Sequence, residues 1–237
     1  MLGPFGRRRL IISPGGTTTL GGRLAGVTLW IVALEIATFL VYAFADGPAL
    51  LRDHVALTPA RAWDEPWQLL TSLLLHVDTR DWIGSLVGVW VFGTPVERAW
   101  GSRRLVWFLV GTGVFANLVM ALLGTSAPVG GLAPSAVALV VAFGFLFADP
   151  YVYLYGLLPL RGKHLAWFAL GLTGLASLTG GAGTHTVGLV AGGVGGALFV
   201  TGLWRPAHFF QRIRNWRARR RLRSLPGGKG RDPRYWN

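Results

Sequence analysis

The chain of 237 residues contains no cysteine. Disulfides, thiolate metal sites and cysteine nucleophiles are therefore excluded, and cysteine usage says nothing about redox compartment. Charge is scarce too: 14% of residues are charged, where soluble domains carry about a quarter. With 52% hydrophobic residues and a mean hydropathy of +0.47, this is the balance of a membrane protein. Acidic residues number only 10 against 23 basic ones, giving a formal charge of +13. The excess is mostly arginine near the two ends, which suits anionic lipid headgroups; no nucleic-acid partner is expected. The first residues contain no apolar h-region, so no cleaved signal peptide is expected. No repeat relates the two halves, which argues against an inverted-repeat transporter.

What is present is a series of apolar, helix-length runs. They cover Ala25 to Ala45, Trp82 to Val96, Arg103 to Leu123, Pro134 to Asp149, His164 to Leu178 and His185 to Leu203. Several are long enough to cross a hydrocarbon core of about 30 Å. The expectation is an all-α, polytopic bundle of six transmembrane helices over residues 25–204. A basic arm over residues 1–24 and a basic tail over 205–237 flank it. The tail, with arginines from Arg205 to Arg234 and only Asp232 against them, is expected to contact anionic lipids. Loops after spans two and four carry Arg98, Arg103, Arg104, Arg161 and Lys163, whereas those after spans three and five carry no charge. Both termini are therefore expected on the cytoplasmic side. Arginine outnumbers lysine and Ala, Gly and Leu abound, a composition expected of a GC-rich bacterial genome and hence of the cytoplasmic membrane.

Polar groups at membrane depth are expensive and need partners, so each one retained is informative. Glu35 interrupts the first span and is expected to face a neighbouring helix. Three other residues, His76, Ser135 and His185, all fall toward the outer face in this topology. Pro134 suits a first helical turn, which places Ser135 among backbone N–H groups that lack intrahelical partners and can stabilise an anion. A histidine that takes the hydroxyl proton lets a serine attack a carbonyl without a carboxylate. Ser135 and His185 are the candidate pair, with His76 and backbone N–H groups on the oxyanion. The Gly-rich sixth span, with Gly188, Gly192, Gly195 and Gly196, is expected to pack most tightly. No metal and no cofactor is expected.

The stretch Pro66 to His76, PWQLLTSLLLH, followed by FGTPVERAWG from Phe92 to Gly101, resembles the second-span region of the rhomboid intramembrane serine proteases. HTVGLVAG, from His185 to Gly192, resembles that family's sixth span, and LLPLRGKHLAW, from Leu157 to Trp167, its connection between spans four and five. The resemblance implies Ser135 as nucleophile, His185 as base, and His76 and Ser85 as the second-span polar groups of the oxyanion hole. Glu97, Gly188 and Gly192 become structural supports, with Glu97 tying helix ends together. The substrates implied are transmembrane proteins cut near the outer face.

Departures from the pattern are specific. The family's G-x-S-G reads Ala133-Pro134-Ser135-Ala136, its second-span asparagine is Ser85, a further histidine is Asp81, and Leu139 stands where an aromatic ring usually stacks on the base. Pro134 removes an N–H donor and resembles the inactive members of the family. Two functions follow as expectations: a Ser-His endopeptidase, or an inactive relative that binds or escorts membrane-protein clients.

Overall fold

The computed structural model describes residues 19–20, 26–44, 48–123, 127–148, 151–154, 158–179 and 183–202. Most of the basic arm and all of the basic tail, with its expected lipid contacts, lie outside them.

The described residues are mostly helical. In chain order the helices are α1 (Gly26–Phe44), α2 (Pro48–Val55), α3 (Gln68–Thr71), α4 (Thr79–Gly88), α5 (Thr94–Trp100), α6 (Ser102–Ala121), α7 (Ala133–Leu146), α8 (Gly162–Thr179) and α9 (Thr184–Thr201). Besides them stands a small ribbon of three strands, β1 (Thr19–Leu20), β2 (Tyr151–Leu154) and β3 (Leu158–Arg161). β2 and β3 form an antiparallel pair in the connection between α7 and α8, and β1, from the basic arm, pairs parallel to β2.

Three of the helices, α1, α6 and α9, are long and apolar enough to cross a membrane, and α7 is a shorter apolar helix. α7 is apolar all round, and a helix of that kind must be covered on every side. Residues 131–140, running into it, are all buried. Its Phe143 packs edge-on against Phe92 with ring centroids 5.1 Å apart, in a core that also holds Phe108, Leu109 and Leu139. α1 is the opposite case: it buries Thr28 and Glu35 and exposes Trp30, Val41 and Phe44. Such a face is suited to hydrocarbon rather than water.

α4 and α5 are joined by a π-helical turn over Val89–Gly93. Its cause is in the sequence. Pro95 has no N–H to offer the carbonyl four residues back, and its ring crowds that carbonyl, so the helix widens just ahead of it. α9 meets α7 through glycine. A Cβ on Gly192 would overlap the carbonyl of Pro134, and one on Gly196 would stand 2.8 Å from the Ala138 Cα, so the two backbones approach as only small residues permit. On the α6 side, a Cβ on Gly188 would lie 2.5 Å from Met120 Sδ.

Candidate active site

Ser135 falls in the first turn of α7, with Ala133 as the first helical residue and Pro134 after it. Its side chain is 0% exposed, and its hydroxyl donates to the Leu109 carbonyl of α6 at 2.8 Å. α6 accommodates this because residue 113 is glycine, where a Cβ would stand 2.7 Å from the Ser135 Oγ.

His185 opens α9, and its Nε2 lies 2.7 Å from Asp81 Oδ2 at the start of α4. At that distance the two attract as an ion pair when the imidazole is protonated. Asp81 thus meets His185 from a position where the family resemblance implies a histidine. Sequence reasoning recorded Asp81 only as a departure; its separation from His185 along the chain left no local signal of the pairing.

His76 and Ser85 come together. His76 is fully buried between the end of the α3 region and α4, with Nε2 2.9 Å from Ser85 Oγ. The Leu132 N–H, just ahead of α7, donates to the same Nε2 at 3.2 Å. Gly131 makes this possible: it takes φ +105°, a region disfavoured for side-chain-bearing residues, and a Cβ there would run into the His76 ring. The loop is held again by Gly131 N–H to Ser72 O at 2.7 Å. Asn117 of α6 ties down the same turn, donating to Leu69 O and to Ser72 Oγ.

Glu35 reaches this cluster from α1. Ser85 Oγ lies 3.2 Å from Glu35 Oε1, and Trp82 Nε1 donates to the Glu35 carbonyl at 3.2 Å. Glu97 is placed where α1 begins. Its carboxylate accepts from Val27 N–H at 3.0 Å, from Thr28 N–H at 2.9 Å, from the Thr28 hydroxyl at 2.7 Å and from Ser102 Oγ. This satisfies first-turn donors of α1 with a negative charge where the helix dipole favours one.

The polar groups therefore form two buried arrangements, one of Glu35, Ser85, His76 and Leu132, the other of Ser135 with Leu109, and a half-exposed pair of Asp81 and His185. The Ser135 hydroxyl gives its one proton to Leu109 and not to His185. An apolar cavity of about 910 Å³ opens between α7, α8 and α9, lined by Val137, Val141, Trp167, Leu170 and Val190. Neither Ser135 nor His185 lines it, so its volume says nothing about the polar chemistry. Among the described residues, no group of three or more His, Asp or Glu is arranged to hold a metal ion.

The rhomboid-domain profile matches residues 64–205, more than half of the chain. The chain belongs to the rhomboid family. Its helices accord with membership as an integral membrane protein. Two curated relatives come from Bacillus subtilis (strain 168). Rhomboid protease GluP is 28% identical over 131 residues, which are 54% of this chain and 24% of that protein. Putative rhomboid protease YdcA is 29% identical over 98 residues, 40% of this chain and 49% of that protein. The matches thus span about a quarter of one relative's length and about half of the other's. The rhomboid match covers the candidate site from His76 to His185, while α1 and Glu35 precede it.

Proposed function

We propose that this rhomboid is an intramembrane serine endopeptidase with Ser135 as nucleophile and His185 as base. The observation that supports it is the contact of Gly192 with Pro134, which seats the helix carrying His185 directly against the first turn that carries Ser135. In the reaction the Ser135 hydroxyl turns away from Leu109, gives its proton to His185, and its Oγ bonds to the carbonyl carbon of the scissile peptide. His76, Ser85 and N–H groups at the start of α7 act as donors to the oxyanion. Collapse breaks the C–N bond, with His185 returning the proton to the departing amine, and water hydrolyses the acyl-serine with the same base.

The substrates are transmembrane proteins whose helices are locally unstable, because a scissile peptide must leave its helical hydrogen bonds before attack. The arrangement is six spans with both termini in the cytoplasm of a bacterium, the arm at residues 1–24 and the tail at 205–237 flanking residues 25–204. The tail lies against anionic lipid.

A second reading, a client-binding protein without catalysis, is favoured by one observation: the Ser135 hydroxyl and His185 Nε2 each have another partner. Reaction of lipid-reconstituted protein with a fluorophosphonate separates the two. Wild type is expected to label, and Ser135→Ala and His185→Ala to lose the label. A folded wild type that stays unlabelled beside a rhomboid control that labels would overturn the protease reading in favour of client binding.

A further inference from the structure

Glu35 is 3% exposed within an apolar helix, a costly position for a carboxyl group unless it has a task or a partner. Among the described residues its one side-chain partner is Ser85, and its Oε2 is buried without one. Ser85 in turn stands 2.9 Å from His76 Nε2, which the Leu132 N–H also addresses at 3.2 Å. Among the described residues, His76 Nδ1 is buried without a partner. These contacts run from α1 through α4 to the residue before α7.

Donor counting restricts this chain of contacts. Ser85 has one hydroxyl proton, and an imidazole Nε2 carries either a proton or a single lone pair. Where Nε2 has the lone pair, it accepts from the Leu132 N–H or from the Ser85 O–H; when it takes the hydroxyl, a neutral Glu35 acid can donate to Ser85 in turn, and when it takes the Leu132 N–H, the hydroxyl turns to Glu35 or to the Trp82 carbonyl at 3.2 Å. Where Nε2 has the proton, it donates to Ser85, Ser85 donates to a Glu35 carboxylate, and the Leu132 N–H loses its acceptor. The neutral-acid and carboxylate arrangements differ by one proton passed through the hydroxyl: the O–H of Glu35 breaks as that of Ser85 re-forms, and the former Ser85 proton bonds to Nε2.

We propose that Glu35 is a positioning residue of the site: through Ser85 it sets whether His76 Nε2 carries a proton, and thereby whether His76 holds the Leu132 N–H or releases it at the start of the Ser135 helix. Its consequence for catalysis rests on Ser135 being the nucleophile; the link among Glu35, Ser85 and His76 does not. The other charges around the cluster are few. α4 brings Asp81, engaged with His185, and Asp78 and Arg80 at its start; α7 has no charged residue, and Arg103 and Arg104 stand in the first turn of α6 next to Ser102, which bonds Glu97, away from the Asn117 end that meets the His76 turn.

The test is nitrogen-15 NMR of the full chain, labelled at its five histidines and reconstituted in bilayers, with His76 assigned by loss of its signals in His76→Asn. In wild type, while Glu35 and His76 share one proton, Nε2 is expected to show both protonated and unprotonated signals, and to lose the protonated one as rising pH removes that shared proton. Glu35→Gln can donate to Ser85 but cannot surrender that proton, so it is expected to hold the lone pair on Nε2 across the same range. Ser85→Ala is expected to uncouple His76 from Glu35, giving the same His76 response with Glu or Gln at position 35. Fluorophosphonate labelling supplies a second readout, its pH profile shifting in Glu35→Gln instead of only its maximum falling. An identical His76 pH response in folded wild type and Glu35→Gln overturns the proposal. If wild type does not label, the protease reading fails while the NMR comparison still decides the role of Glu35.

Discussion

Glu97 and Thr28 are joined twice, through the Thr28 N–H at 2.9 Å and the Thr28 hydroxyl at 2.7 Å, although they lie 69 residues apart. This is how α5 anchors the start of α1, a helix with few other buried side chains. Replacing Glu97 with Ala leaves first-turn N–H groups without an acceptor, and the expected cost is about 2–3 kcal/mol. Thermal unfolding in detergent measures it. A variant as stable as wild type would mean that α1 is held by other contacts.

The same carboxyl makes stability depend on pH. Burial works against its ionisation, but hydrogen bonds from Ser102, Thr28 and Val27 outweigh that effect and hold it below its ordinary value of 4.5. A depressed folded-state pKa gives stability that is present above the unfolded value and lost as pH falls through the folded one. The stability gap between wild type and Glu97→Gln should therefore be full at neutral pH and shrink below about pH 4.5. A gap that stays constant down to strongly acid pH would contradict this account.

The contact between α7 and α9 has no room for a side chain at Gly192. Gly192→Val is expected to force the helices apart at a cost of at least 1–3 kcal/mol, seen as a lower melting temperature and less folded protein. Substitution at Gly171 of α8, where a Cβ would meet nothing within 4 Å, is the control and should cost far less.

Asp81 lies against His185 Nε2, the nitrogen that takes the Ser135 proton in the proposed reaction. Asp81→Asn keeps the shape and removes the charge, and is expected to raise the fluorophosphonate labelling rate of Ser135 by about tenfold, equivalent to about 1.4 kcal/mol. A fall in rate would instead make Asp81 the group that orients the base.

Gly131 combines a positive φ with a ring against its α-carbon. Gly131→Ala should destabilise by about 1–3 kcal/mol through backbone strain, and by more where the ring must move. The imidazole nitrogen signals of His76 should shift as its contact with Leu132 is disturbed. Unchanged signals would mean that the loop at Gly131 does not rest on the His76 ring.

The long apolar helices were legible because hydropathy is a local property: α1 falls within its run read from residues alone, and α6 and α9 each begin one residue ahead of theirs. The motif carrying Ser135 was legible for the same reason, since Pro134 and the apolar run after it define a helix start. Less was visible at Asp81, which read as a lost histidine, and at Glu35, whose need for a neighbour was clear while its identity was not. Their partners lie far along the chain, 50 residues away for Glu35 and Ser85, and no periodicity records such a pairing. The π turn before Pro95 was also missed, because a proline inside an apolar run does not state how the helix will absorb it.

By itself, the sequence determined that this chain is rich in membrane-length helices, that it lacks thiol chemistry, and that its few buried polar residues are the ones to examine. Composition and local order suffice for that, because burial of apolar surface and satisfaction of backbone hydrogen bonds act along each helix. Only the tertiary structure decided who partners whom: Ser135 with Leu109, His185 with Asp81, and His76 with Ser85 and, through it, Glu35. Each polar group in an apolar interior takes the donor or acceptor that helix packing brings within about 3 Å. That packing is set by the glycine contacts of α9 and the burial of the first two turns of α7.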